Sequence, residues 1–187
     1  MAETAIEVQS TKEGESFEHV IRLLEDSRAG LEHSLKGLTD ELCSAKPTVD
    51  VWSVTEVLEH LVIIEGRVLS LLQTKLPEQE VVPDSANQED DARLVRLVGS
   101  RISKIDAPVF TQPTGQYAHC SEGWVAFDAV RQRTLTYAAA TPQYMRGRLL
   151  PHPVVGPIDG CQWFLVLAAH TQRHVKQIEE IKAAILA

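Results

Sequence analysis

The stretch that decides the fold is LVLAAHTQRHVKQIEEIKAAIL, residues 165–186. Its apolar side chains recur every three or four residues, which is the spacing of one buried face of an α-helix. His170 and His174 occupy two positions of that face, where a bundle helix would ordinarily carry leucines. Two imidazoles directed into a helical core need an explanation beyond packing.

One explanation is a metal ion. Histidines four residues apart on a helix have Cβ atoms about 5–6 Å from each other, so both rings can reach one ion at bond lengths of about 2.0–2.1 Å. The alternative is that each ring is a core residue hydrogen-bonded to a neighbour, and the pair alone favours this alternative because such pairs often arise by chance. Thr171 stands where the HExxH motif has its glutamate, so the helix is not of the zinc-protease type. A third ligand would have to come from elsewhere.

Helical periodicity extends over most of the chain, and strand-like alternation is nearly absent. The first apolar stripe begins at Phe17 and ends before Pro47, which cannot continue a helix. The predicted helices cover residues 17–42, 53–75, 121–140 and 160 onward. Four long helices around one core predict an all-α fold, a four-helix bundle.

Two of these helices have clear start signals. In WSVTEVLEHL, residues 52–61, Ser53 can cap the first exposed amides, and Glu56 can return a hydrogen bond to the Ser53 amide. Asp159 and Gln162 repeat this capping box before the last helix. The two helices with start signals also carry the histidines considered below.

The segments between the helices are uneven in length. Residues 77–121 hold prolines, an acidic run and one weakly periodic piece at about 88–105, which predicts a long crossover between the second and third helices, bordering a cleft. Residues 141–160 are rich in Pro and Gly and are predicted to lack regular structure. Residues 1–14 are polar and predict a flexible tail, which leaves 15–187 as a single domain.

Composition limits the classes of function. Hydrophobic residues make up 44% and charged residues 24%, as in ordinary globular proteins. The net charge of −8 argues against nucleic-acid binding, which needs a basic face. No apolar run approaches the roughly 20 residues of a membrane span, and the amino terminus lacks the layout of a signal peptide. We therefore expect a small-molecule partner, neither nucleic acid nor membrane, and a cytoplasmic location.

The cysteine pattern does not predict a disulfide framework. Cys43, Cys120 and Cys161 are odd in number, widely spaced and in no CxxC pair. This pattern suggests neither a set of disulfides nor a zinc knuckle. We expect all three to be reduced and mostly buried.

His60 is the natural third ligand. It lies between Val57 and Ile64, at the edge of the inward face of the second helix. Three imidazoles from two helices would leave a coordination position open for water or substrate, as catalytic metal sites do. The remaining histidines lie off the helical stripes or in loops, where they are expected to be solvated or to act as local caps, although either loop histidine could supply a fourth ligand. They are His19, His33, His119 and His152.

With these residues the chain resembles the DinB/YfiT-like superfamily of four-helix-bundle metalloproteins. The resemblance rests on WSVTEVLEHL, on HPVVGPIDGCQW and on HTQRH before VKQIEEI, and it covers about residues 17–185. It implies that the first ligand comes from the second helix and the other two from the last, which are His60, His170 and His174 here. The superfamily includes bacterial transferases and isomerases that use low-molecular-weight thiols such as bacillithiol or mycothiol.

The function expected from this resemblance is that of a protein that binds one divalent metal ion, with zinc or nickel suited to neutral imidazoles. The ion would stabilise the thiolate of a low-molecular-weight thiol for attack on an electrophile, as in a thiol S-transferase. The same ion could instead activate water in a metal-dependent hydrolase. A third possibility is a non-catalytic metal- or ligand-binding bundle, in which the ion pins two helices together. Sequence leaves these alternatives open, and a homodimer as well.

Two further residues could orient the ligand rings. Gln177 lies one turn after His174, and Glu56 lies one turn before His60. A buried amide explains Gln177 equally well, and the capping box is the favoured explanation of Glu56. No residue stands out as a general base.

Overall fold

Four long helices form the frame of the molecule, as the apolar stripes predict. The computed structural model describes residues 2–82, 91–102, 106–141 and 145–186, and only the backbone of residues 2–16. The helices of this part of the chain are α1 (Ala2–Ser34), α2 (Asp40–Ser44), α3 (Val54–Thr74), α4 (Asp91–Gly99), α5 (Cys120–Ala140) and α6 (Gly160–Ile185), with a 3-10 turn at Val109–Thr111. The strands are β1 (Leu149–His152) and β2 (Gly156–Asp159).

The bundle consists of α1, α3, α5 and α6. Helix α1 packs against α6 and α3 packs against α5, while α3 also contacts α6 and α1 contacts α5. Helix α4, in the crossover between α3 and α5, packs against α6. The prediction of a four-helix bundle with a long crossover is therefore confirmed.

The apolar core is divided into two clusters. One cluster includes Phe17, Leu24, Leu72 and Phe164. The other includes Leu31, Leu58, Phe127 and Ile178. Along α6, the HTQRH stretch lies between the contributions to the two clusters, so polar side chains occupy the middle of the bundle.

Both predicted capping boxes are present. The Ser53 hydroxyl accepts from the Glu56 amide, and the Glu56 carboxylate accepts from the Ser53 amide. Asp159 and Gln162 make the same reciprocal pair at the start of α6. Because such caps satisfy the amides that a helix leaves unpaired at its first turn, they set where α3 and α6 begin.

The first helix is shorter at its carboxyl end than predicted. The stripe of 17–42 predicts one helix, but α1 ends at Ser34, and the separate short helix α2 follows. Gly37 has a φ of 80°, a left-handed conformation that ends helices and that glycine adopts without strain. The Thr39 hydroxyl then caps α2. At the amino end the backbone is helical from Ala2, and the flexibility of residues 1–14 stays a prediction, as does the single domain 15–187.

The prediction that residues 141–160 lack regular structure is wrong. Strands β1 and β2 pair antiparallel, with Leu150 opposite Ile158 and Pro151 opposite Pro157. Leu150 and Ile158 are buried in the core, which holds the hairpin against the bundle. A two-stranded hairpin tolerates proline because each strand has a free edge.

The expectation of reduced cysteines is also wrong for two of the three. Cys43 of α2 and Cys120 of α5 form a disulfide, and Cys161 is buried outside it. The tertiary fold brings together residues that are 77 positions apart, which no local pattern reveals. Because disulfides are rare in the cytosol, this bond weighs against the expected cytoplasmic location, which stays a prediction.

No helix in the described ranges combines the length and the apolar character that a membrane span requires.

Candidate metal centre

The three predicted ligands meet in the middle of the bundle. His60 comes from α3, while His170 and His174 come from successive turns of α6. The Nε2 atoms of His60 and His170 are 3.4 Å apart, and those of His170 and His174 are 3.1 Å apart. One ligand nitrogen from each ring lies within 4.8 Å of the other two. His60 and His174 are buried, and His170 is half-buried.

These distances fit a single ion. Three nitrogens that bind one ion tetrahedrally, each at about 2.0–2.1 Å, lie about 3.3 Å from one another. The two Nε2 separations, 3.4 and 3.1 Å, are on either side of that value. In the part of the chain that the structure describes, no carboxylate oxygen completes the cluster, so its donor set consists of imidazole nitrogens.

The ring of His60 is held by its other nitrogen. The Thr111 carbonyl lies 2.7 Å from Nδ1 and can only accept, so Nδ1 carries the proton. Nε2 therefore presents a lone pair to the cluster. The indole of Trp52 packs against this ring with centroids 5.0 Å apart, which helps to fix its orientation.

His174 is held in the same way from the opposite side. Its Nδ1 lies 2.8 Å from Oε1 of Gln177, and Nη1 of Arg101 donates to the same oxygen at 3.3 Å. Arg101 is held in turn by Glu180, which accepts from Nε at 2.9 Å and from Nη2 at 2.6 Å. An amide oxygen that accepts from Arg101 makes Nδ1 of His174 the donor, which leaves Nε2 with a lone pair. The structure thus places Gln177 against the ring that sequence analysis paired with it.

The arrangement creates a concentration of lone pairs. With Nδ1 protonated in His60 and His174, their two Nε2 atoms both face Nε2 of His170, which can donate at most one proton. A cation bound to all three nitrogens would satisfy every lone pair at once. The cluster therefore fits a divalent metal ion by the chemistry of its donors.

The electrostatic environment keeps the rings neutral. Burial lowers the pKa of His60, and burial together with the neighbouring His170 and His60 holds the pKa of His174 well below its usual value. The pKa of His170 is also far below its usual range, through burial first and then through the charges of His60 and Arg173. Neutral imidazole is the form that binds metals.

A buried ion pair lies beside the cluster and was missed by sequence analysis. Arg131 of α5 donates through Nε and Nη2 to the two carboxylate oxygens of Glu65 in α3, at 2.7 and 2.9 Å. Nη2 also donates to the hydroxyl of Thr171, the residue after His170, and Nη1 donates to the Leu24 carbonyl. The available signal was an arginine and a glutamate each four residues after an apolar stripe position.

The carboxylate of Glu59, next to His60 in sequence, was also missed. It is buried and accepts hydrogen bonds from the amides of Thr114, Gly115 and Gln116 and from the Thr114 hydroxyl. Burial acts to raise the pKa of Glu59, but these hydrogen bonds outweigh it and hold the pKa below its usual value. The sequence signal that could have indicated this carboxylate is an acidic residue next to the inward-facing His60.

Glu56 and His119, which sequence analysis also considered, make their contacts away from the cluster. Glu56 accepts from the Ser53 amide and pairs with Lys46, so its contacts are those of a cap. His119 is the N-cap of α5 and lies 3.1 Å from Asp40.

His152 packs its ring against Trp163, and its Nδ1 accepts from the amides of Val154 and Val155. The charge of His152 also contributes to the lowered pKa of His170, so this residue lies near the cluster without being one of its three grouped ligands. His19 and His33 are exposed, as expected.

Comparison with known proteins agrees with this architecture. The chain is 29% identical over 163 residues to the uncharacterized protein YuaE of Bacillus subtilis strain 168. The aligned region covers 87% of this chain and 97% of YuaE. Its fold is similar to that of TT2238, a four-helix bundle protein, with a TM-score of 0.56 and 21% identity over 88% of this chain and 98% of that one.

A second solved structure is similar to the same extent. YfiT from Bacillus subtilis, reported as a probable metal-dependent hydrolase with an unusual four-helix bundle topology, aligns with a TM-score of 0.60 and 16% identity over 90% of this chain and 87% of its own. At these identities the two solved structures support the fold alone. The family model of the DinB superfamily matches residues 23–178, which is most of the chain, and the protein therefore belongs to the DinB superfamily.

Proposed function

We propose that this protein binds one divalent metal ion through His60, His170 and His174 and acts as a metal-dependent enzyme on a small molecule. The observation that carries the proposal is the convergence of the three Nε2 atoms, with neighbouring pairs 3.4 and 3.1 Å apart. Two of the rings are held through Nδ1 by Thr111 and Gln177, an arrangement typical of metal-binding histidines.

The favoured reaction is transfer of a low-molecular-weight thiol to an electrophilic substrate. A divalent ion in this site would lower the pKa of a coordinated thiol or water. The protein's own contribution is to hold three neutral rings in place, and no carboxylate of the described residues joins the cluster. A divalent ion with three neutral ligands keeps its positive charge, so the site would favour an anionic ligand such as a thiolate. His170 is half-buried, which favours the approach of such a ligand from its side of the cluster.

A metal-dependent hydrolase is the second candidate. It is favoured by the similarity to YfiT, which is itself reported as a probable metal-dependent hydrolase. In that reaction the activated group would be water, and the same three histidines would hold the ion. A non-catalytic bundle, in which the ion only pins α3 to α6, is the third alternative.

Metal content is the first experiment. The protein, purified without an affinity tag and incubated with zinc or nickel, should retain about one ion per chain by plasma mass spectrometry. His60→Ala, His170→Ala and His174→Ala should each lose the ion, whereas His19→Ala, at an exposed histidine away from the cluster, should keep it. A wild-type protein that stays metal-free would contradict the proposal.

The reaction type is tested next, on the metal-loaded protein. Consumption of an electrophile that requires an added low-molecular-weight thiol, and that is lost in His170→Ala, would support a thiol transferase. Consumption of ester or amide substrates without thiol would support the hydrolase. Retention of the ion with neither activity, and with no change in the visible spectrum of the cobalt-loaded protein when thiol is added, would support the non-catalytic bundle.

A further inference from the structure

The Glu59 carboxylate holds a turn of the crossover in place. Its Oε1 accepts from the amide and the hydroxyl of Thr114, at 2.7 and 2.8 Å. Its Oε2 accepts from the amides of Gly115 and Gln116, both at 3.0 Å. The side chain is 1% exposed, so these four donors from residues 114–116 take the place of its water.

The residue that orients His60 lies just before this turn, at the end of the 3-10 turn Val109–Thr111. Thr111, whose carbonyl accepts from Nδ1 of His60, is only three residues before Thr114. Glu59 and His60 are consecutive in α3, so the helix contacts this segment at two adjacent points. One contact, at Glu59, carries four hydrogen bonds, and the other, at His60, carries one. We therefore expect the four hydrogen bonds at Glu59 to restrain the single hydrogen bond at His60.

The chemistry of the four donors requires a carboxylate. Three backbone amides and a hydroxyl all donate, and an ionised carboxylate only accepts. A glutamine could keep the two hydrogen bonds of Thr114 with its oxygen, but its amino group would face the amides of Gly115 and Gln116. Gly115 has a φ of 84°, which is the left-handed conformation that aims these successive amides at one group.

We propose that Glu59 is a positioning residue of the metal centre. By fixing residues 114–116 it keeps the Thr111 carbonyl against Nδ1 of His60, which holds the proton on Nδ1 and aims the lone pair of Nε2 at the ion. This inference rests on the proposed metal site, but its structural part, the state of the His60 ring, exists without metal. Glu59 itself touches neither the ion nor the substrate.

The test compares two glutamates of the same helix. Glu59→Gln removes two of the four hydrogen bonds to the turn. Glu56→Gln, three residues earlier, changes a side chain that contacts Ser53 and Lys46 instead. Zinc affinity is measured for both by competition with a chromophoric chelator. Glu59→Gln should bind zinc about 10- to 100-fold more weakly than the wild type, as is typical when the partner of a ligand ring is disturbed, and Glu56→Gln should bind it as the wild type does.

The state of the His60 ring supplies a readout that a merely stabilising role would not move. In nitrogen-15 NMR spectra of the metal-free wild type, His60 should have its proton on Nδ1, with slow exchange. In Glu59→Gln, whose folded state is checked by its helical circular dichroism, that signal should be lost or the ring should populate the other tautomer. Thr114→Val removes one hydrogen bond from an exposed residue and should also weaken zinc binding. This variant tests the positioning role of Glu59 if Glu59→Gln does not fold.

The outcomes separate this inference from the proposed function. A wild type that binds zinc while Glu59→Gln and Thr114→Val bind it equally tightly, with an unchanged His60 ring, would overturn the positioning role and leave the metal site intact. A wild type that binds no metal would overturn the proposed function. In that case a change of the His60 ring in Glu59→Gln would still support the control of this ring by Glu59, and an unchanged ring would overturn that as well.

Discussion

Arg131 and Glu65 form a bidentate ion pair inside the bundle, with 0% and 1% of their surfaces exposed. The remaining donors of Arg131 are used by the Ser27 hydroxyl, the Leu24 carbonyl and the Thr171 hydroxyl. One guanidinium therefore connects α5 to α1, α3 and α6. Through Thr171 it reaches α6 between His170 and His174, so the candidate metal centre lies beside a polar layer that joins the four long helices.

Removing one member of this pair should be costly. Glu65→Ala would leave the buried guanidinium without its counter-charge, and we expect a loss of about 3–5 kcal/mol in the free energy of unfolding, measured by urea denaturation. Lys75→Ala, which breaks the exposed pair with Glu78, is the control and should cost less than about 1 kcal/mol. Equal effects of the two substitutions would show that Arg131 finds other compensation.

The Cys43–Cys120 disulfide should stabilise the bundle. It closes a loop between residues 77 positions apart, so it restricts the unfolded chain, and its reduction should lower the free energy of unfolding by about 2–5 kcal/mol. The measurement is urea denaturation with and without reductant. The double variant Cys43→Ala/Cys120→Ala is the control, because reductant should not change its stability further. If all three cysteines of the wild type react as free thiols after unfolding without reductant, the disulfide would be contradicted.

Gln177 should contribute to metal affinity through His174. Gln177→Ala removes the acceptor of the Nδ1 proton, so the ring can rotate or change tautomer, and zinc should bind about 10- to 100-fold more weakly. Gln172→Ala, more than one turn earlier in α6, is the matched control and should bind zinc normally. Isothermal titration calorimetry gives both affinities. Unchanged affinity in Gln177→Ala would mean that packing alone orients His174.

The metal-free protein should lose stability in mild acid. The pKa values of His60, His170 and His174 are all lowered in the folded state from an unfolded value near 6.5. Below that pH the unfolded chain binds protons that the folded chain does not, so stability is fully present above about pH 6.5 and falls as the pH drops below it. Each ring contributes up to about 1.4 kcal/mol per pH unit in this window.

Urea denaturation of chelator-treated protein between about pH 7.5 and 5.5 measures this effect, in a range where few carboxylates titrate. The variant His60→Ala/His170→Ala/His174→Ala should show a markedly smaller dependence on pH. An equal slope in the wild type and in this variant would mean that the three rings titrate normally.

The sequence alone was sufficient for several features that depend on neighbours in the chain, although the helix break near Gly37 and the hairpin of β1 and β2, which are also local, were missed. The capping boxes at Ser53 and Asp159 could be located because a cap joins residues three positions apart. The helices at 53–75 and 121–140 agree with α3 and α5 to within a residue, because their apolar periodicity and their breakers are local. The inward direction of His60, His170 and His174 followed from the same periodicity, and the structure brings these three rings together.

Tertiary structure alone decided what those rings contact and how the rest of the bundle is tied. The carboxylate of Glu59 and the turn at Thr114 are 55 residues apart, Glu65 and Arg131 are 66 apart, and the two disulfide cysteines are 77 apart. A charged residue in an apolar stripe can be noticed in a sequence, but its partner is chosen by the packing of helices. The local pattern therefore determined which side chains point inward, and the long-range packing of α3, α5, α6 and the crossover determined which groups they meet there.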